Sequence, residues 1–172
     1  MLFWFLVDFN VDLFYNNLYF IWKRGGKMYF EEFVLGSKTK IEPATIHKED
    51  MVDFAKKYDP IPLHTDEEYA KTTFFGGLIA PGVMSFMSVW AKYLEIDLAG
   101  KELIAGKSTK IEWMKPVFAE DVLYSTCTVS GFTKRNEKNG LVELTFEVFN
   151  QKGELVLTDV TEMVVKCRPK CD

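Results

Sequence analysis

From Pro81 to Ile96 the chain is apolar almost all the way round, with Val83, Met84, Phe86, Met87, Val89, Trp90, Ala91, Tyr93 and Leu94 leaving few polar points. A helix without a wet face has to be wrapped by other elements, and the sequence that follows supplies the wrapping. Residues 108–114, 122–132, 141–150 and 155–165 are rich in Val, Thr, Phe and Leu and are joined by turn signals such as Asn139-Gly140 and Asn150-Gln151-Lys152-Gly153. Val142, Leu144, Phe146 and Val148 alternate with Glu143, Thr145 and Glu147, the signature of a strand with one solvated face. Late strands around one earlier buried helix predict an α+β fold, an antiparallel sheet wrapped around one long central helix. Upstream, residues 38–46 read as a further strand. Residues 49–57 read as a helix whose early acids and late lysines complement its dipole.

Charge and cysteine usage narrow the function classes. A formal net charge of −4 argues against a nucleic-acid partner. Cys127, Cys167 and Cys171 are odd in number and form no C-x-x-C pair, and His47 and His64 are not at metal-ligand spacing; reduced thiols, a cytoplasmic setting and no metal are expected. Residues 1–22 hold 17 apolar side chains, nine of them aromatic, interrupted by Asp8, Asn10, Asp12, Asn16 and Asn17. A spanning helix would place both aspartates in hydrocarbon at about 2.5–3.5 kcal/mol each, and no basic region precedes the apolar part as a signal peptide requires. Residues 1–27 are therefore read as a hydrophobic appendage tied on by Lys23-Arg24-Gly25-Gly26-Lys27, with Met28 an alternative start and 28–172 the domain.

Chemistry concentrates between residues 58 and 82. Pro60 and Pro62 stiffen the loop joining Asp59 to His64. Thr65-Asp66-Glu67-Glu68 has the form of a capping box, which predicts a helix starting after Thr65 with His64 just outside it. Ala80-Pro81-Gly82 opens the apolar helix, with proline at its first position, and places the Gly82 amide in the first turn. Such an N–H has no partner within the helix, sits at the positive dipole end and carries no side chain to block a carbonyl oxygen. A carboxylate, an imidazole and an oxyanion donor are the parts needed to move a proton beside a polarised carbonyl. Each has a bland counterpart: a turn-opening Asp-Pro, a packed histidine and an ordinary helix start. Ser85 and Ser88 follow Pro81 on one face, where either could reach a substrate or simply pack. Lys107, Lys110, Lys115, Lys134, Arg135 and Lys138 are scattered bases that read first as solvated surface.

Asp59, Pro62, Leu63 and His64, followed by Phe75, Gly76, Ile79, Ala80 and Gly82, resemble the two motifs of the MaoC-like (R)-specific enoyl-CoA hydratases and dehydratases. The chain departs from them at Tyr58, where the motif has glycine, at Ile61, where it has asparagine, and at Pro81, where it has a second histidine. The resemblance spans residues 28–172 and implies the hotdog fold, with Asp59 and His64 as catalytic pair, the Gly82 amide as oxyanion donor, and Ser85 and Phe75 against the substrate. It implies reversible hydration of a trans-2-enoyl-CoA to the (R)-3-hydroxyacyl-CoA, with coenzyme A carried by the substrate and no separate cofactor. It also implies a homodimer or dimer of dimers joined edge to edge. The exchange of asparagine for Ile61 removes a polar group that would order water, which leaves two rivals: a hotdog module that binds acyl thioesters without chemistry, and a thioesterase that sends water to the carbonyl carbon.

Overall fold

The computed structural model describes residues 28–169. The appendage read at 1–27 and Cys171 lie outside them. A 3₁₀ turn at Phe30–Glu32 leads into β1 (Lys38–Thr45), α1 (Lys48–Tyr58), α2 (Pro62–Thr65), α3 (Glu67–Thr72) and α4 (Gly82–Ile96). A second 3₁₀ turn at Gly100–Glu102 precedes β2 (Leu103–Trp113), β3 (Val122–Lys134), β4 (Asn139–Phe149) and β5 (Leu155–Lys166). The strands form one sheet in the order β1-β3-β4-β5-β2, antiparallel throughout. Both long helices and four strands fall close to where the sequence patterns place them, while β2 starts five residues before the 108–114 read from sequence.

The alternation along β4 becomes the inner face of the sheet. Val142, Leu144, Phe146 and Val148 join Leu123, Cys127 and Val129 of β3, Leu157, Met163 and Val165 of β5, and Met84, Phe86, Val89 and Tyr93 of α4 in one core. The Phe146 ring meets Tyr93 and Trp90 edge-on at 5.3 and 5.8 Å between centroids, the favoured aromatic geometry. Residues 28–33 are fastened to the same body: Met28 and Phe33 are buried, the Met28 amide donates to the Leu98 carbonyl at 3.2 Å, and Phe30 meets Phe132 edge-on at 6.1 Å. Phe30 also explains Gly140, since a Cβ there would run into its ring.

One expectation is corrected. The apolar helix α4 is wrapped on one side only. Met84, Ser85, Phe86, Val89 and Tyr93 are buried, but Val83, Met87 and Leu94 are 49%, 45% and 45% exposed and, with exposed Ala91, form one stripe along the helix. β2 is a sheet edge that also keeps Ile104 and Trp113 half exposed. The opposite edge, β1, contains Pro43 where its register with β3 shifts, and a residue without an N–H blunts an edge against pairing. No helix among the described residues is long and apolar enough to cross a membrane.

Candidate active site

Asp59 and His64 reach one place through a compact turn. Asp59 ends α1, its amide donating to the Ala55 carbonyl at 2.9 Å, and its own carbonyl accepts from the Ile61 amide at 2.8 Å. Pro62 then starts α2, which contains His64. This corrects the expected cap: Thr65 belongs to α2 and its hydroxyl donates to the Ile61 carbonyl, while Asp66 caps α3 by accepting from the Tyr69 amide at 2.9 Å. Aspartate is as good an N-cap as threonine, and the two adjacent candidates differ by the extra turn that Pro62 opens. His64 is consequently buried inside a helical turn. The proline at 81 also moves out by one position, acting as N-cap with Gly82 as first helical residue.

The histidine is oriented by a strip of extended backbone. Its Nδ1 lies 2.7 Å from the Ile79 carbonyl oxygen; because a carbonyl can only accept, Nδ1 carries a proton and Nε2 is the nitrogen left for chemistry. That Nε2 is 3.5 Å from Asp59 Oδ2. The strip is clamped from its other side, where Ala80 donates to the Val117 carbonyl at 2.7 Å and Ile79 bridges to Phe118. The segment carrying Val117 is fixed in turn by buried Asp121, which accepts from the Phe118 amide at 2.8 Å and from Gln151 at 2.7 Å.

Asp59, His64, Phe75, Gly82 and Ser85, the five site residues read from sequence, all line one cleft of about 550 Å³. It opens at the N-terminus of α4, where the first-turn amides have no acceptor within their helix. Most of the rest of its wall is apolar, from Phe74, Ile79, Ala80, Val83, Met114, Pro116 and Val117. Ser85 Oγ is buried without a hydrogen-bond partner among the described residues, whereas Ser88 donates to the Met84 carbonyl at 3.0 Å and does not line this cleft. Lys115 lines the cleft but is paired with Glu154 at 2.6 Å, and Lys107, Lys110 and Lys134 are likewise paired. His47 is an exposed N-cap of α1, 3.4 Å from Glu120. No cluster that could hold a metal ion occurs among the described residues.

Trp113 and the stretch 114–117 are the cleft residues that motif reading misses. Trp113 closes over Gly82 so tightly that a Cβ there would collide with its indole. Nothing local in the sequence links the two; the contact depends on β2 lying at the sheet edge beside the start of α4.

The MaoC like domain profile matches residues 32–151 of this chain. The chain belongs to the MaoC-like family. The matched span is shorter at both ends than the 28–172 read from the motifs, but it contains every cleft residue. Among solved structures, a monoamine oxidase regulatory protein from Archaeoglobus fulgius is 35% identical, covers 83% of this chain and 97% of its own, and superposes with a TM-score of 0.75. The R-hydratase PhaJ1 from Pseudomonas aeruginosa is 25% identical over 85% of this chain and 92% of its own, with a TM-score of 0.67. An uncharacterized protein, YdeM of Bacillus subtilis, is 27% identical over 81% of this chain and 99% of its own. The MaoC-like chain thus has the α+β hotdog fold, and its family is one of hydratases and dehydratases.

Proposed function

We propose that this protein hydrates trans-2-enoyl-CoA reversibly to (R)-3-hydroxyacyl-CoA. The observation that carries the reading is the His64 tautomer: Nδ1–H is spent on the Ile79 carbonyl, so Nε2 is left as a base beside Asp59 in a cleft at a helix N-terminus. His64 Nε2 takes a proton from water as its oxygen bonds to Cβ. The C=C electrons move towards the thioester oxygen, which the Gly82 amide receives as charge develops. Asp59, 3.5 Å from Nε2, orients the water and passes the proton to Cα, so one O–H and one π bond break while one C–O and one C–H form. Phe75 offers an apolar wall to the acyl chain, and Ser85, whose hydroxyl has no partner among the described residues, sits against the bound substrate.

Ile61 is 45% exposed and does not line the cleft, so its replacement of asparagine leaves the water to Asp59 and His64 alone. The test is hydration of crotonyl-CoA followed by loss of enoyl absorbance. His64→Ala and Asp59→Asn should each lower kcat by about 10²-fold or more, the scale of positioned acid–base groups, with thioester binding changed far less. Absence of turnover in the unmutated protein would favour a binding module, and release of free thiol ahead of enoyl consumption a thioesterase. The same reading includes a homodimer or dimer of dimers assembled through β2 and the exposed stripe of α4.

A further inference from the structure

The two hydrogen bonds that hold the strip beside His64 belong to one peptide group. The carbonyl of Ile79 lies 2.7 Å from His64 Nδ1, and the N–H of the same peptide, that of Ala80, donates to the Val117 carbonyl at 2.7 Å. A trans peptide is a rigid plane whose C=O and N–H point opposite ways, so whatever fixes Val117 also fixes the aim of the Ile79 carbonyl. The turn after Val117 is closed by one side chain. Buried Asp121 accepts from the Phe118 amide at 2.8 Å through Oδ2 and from Gln151 Nε2 at 2.7 Å through Oδ1, while its own amide donates back to the Phe118 carbonyl at 3.2 Å. Gln151 Oε1 in turn accepts from the Val122 amide at 3.1 Å. Within this turn Glu120 has φ 64°, a left-handed conformation that disfavours a residue with a Cβ, so the turn depends on these bonds to keep its shape.

When the His64 ring is neutral, its single proton has two acceptors to choose between: the Ile79 carbonyl beside Nδ1, and Asp59 Oδ2 at 3.5 Å from Nε2. The first choice leaves Nε2 able to take a proton from water. The second ties up Nε2 with Asp59 and turns a bare Nδ1 against the carbonyl, so that no free nitrogen faces the cleft. A carboxylate is the stronger acceptor of the two, and the carbonyl therefore has to win by placement. We propose that Asp121, braced by Gln151, is a positioning residue of the active site: it holds the Ile79–Ala80 peptide so that the proton of neutral His64 stays on Nδ1. This rests on the hydratase reading above. The bond to the Ala80 N–H also polarises the carbonyl at the other end of the same peptide, which strengthens its hold on Nδ1–H. Gly82 follows two residues later as the first residue of α4, so the same anchor fixes the oxyanion donor relative to the base.

Asp121→Asn keeps the shape of the side chain but sets one of its two carboxylate contacts donor against donor. In crotonyl-CoA hydration it should lower kcat by about 10-fold, within the roughly 10²-fold that a misplacement of about 1 Å produces, while KM stays within about threefold. Gln151→Glu in the same chain exchanges donor and acceptor between the two partners, and should return kcat to within about threefold of native. A readout independent of turnover is long-range ¹H–¹⁵N spectroscopy of the histidine rings at about pH 9, above the ordinary histidine range, with His47→Gln to assign the signals. The proton should sit on Nδ1 of His64 in the unmutated protein and in the double variant, and should move in measurable part to Nε2 in Asp121→Asn. Should Asp121→Asn fail to fold, Gln151→Ala, at an exposed position, should show the same movement at smaller amplitude, and its absence there would count against the proposal. Native kcat and native proton placement in Asp121→Asn would overturn it, as would a rate loss with the proton still wholly on Nδ1, or a double variant no better than the single one. If the unmutated protein does not hydrate, the hydratase reading fails by itself, and the ring spectra still decide the role of Asp121.

Discussion

With Nδ1 bound to the Ile79 carbonyl, His64 has a single nitrogen free for chemistry, and its role follows from that one contact. A second polar residue shows the same dependence on proton placement away from the cleft. Asp159 is completely buried on β5 and closes a ring of three contacts: Thr109 to Oδ1 at 2.5 Å, Thr161 to Oδ2 at 2.7 Å, and the two hydroxyls to each other at 2.7 Å. Two hydroxyl protons serve three close oxygen contacts, so this buried cluster is rich in acceptors and short of donors. Burial pushes its pKa up, against the lowering by both threonines and the Val160 amide. The folded state thus keeps a proton that the unfolded chain has released. Stability from this group is full below the ordinary aspartate value near 3.9 and is lost as pH rises through the raised folded value. Asp159→Asn, which retains one donor and one acceptor, should therefore raise the melting temperature at pH 8 by about 2–4 °C, the effect of about 1 kcal/mol in a domain of this size. The gain should shrink towards pH 4. A gain independent of pH across a melting series would contradict the raised pKa of Asp159.

At the scale of elements, the 3₁₀ turn at Phe30–Glu32 and the start of β4 fit because Gly140 has no side chain. Gly140→Ala should destabilise by about 1–3 kcal/mol, as overpacking does, and Phe30→Leu should relieve part of that loss; a double-mutant cycle by denaturant unfolding with no coupling would refute the contact. Strands were legible here because alternation with one wet face is a local pattern, and β4 shows it residue by residue. Asp59, His64 and Gly82 were legible because prolines and helix starts fix local geometry around them. Trp113 and residues 114–117 were not, because they enter the cleft through strand order, which no local pattern encodes. The cap at Asp66 was displaced by one residue because the turn containing His64 consumes Thr65. The half-bare helix α4 was illegible for a further reason: an apolar residue aimed at its own sheet and one aimed at another surface look alike in sequence.

For the whole molecule, the chain leaves two apolar surfaces bare, the β2 edge with Ile104 and Trp113 and the Val83, Met87 and Leu94 stripe of α4, while its other sheet edge is interrupted by Pro43. Assembly through the two bare surfaces predicts a light-scattering mass of at least twice the 19.9 kDa chain at micromolar concentration. Met87→Lys, which sets a charge in the stripe, should shift the mass towards the single chain; a monomer mass for the unmutated protein would sink the proposed assembly. The chemistry and the assembly share residues, since Val83 and Trp113 line the cleft and also lie on the assembling surfaces, but each has its own readout. The direct test of that chemistry is where water oxygen goes. In water enriched with heavy oxygen, mass spectrometry of crotonyl-CoA turnover should find the label on C3 of an intact (R)-3-hydroxybutyryl-CoA; label in a free carboxylic acid, with coenzyme A released, would contradict the hydratase account.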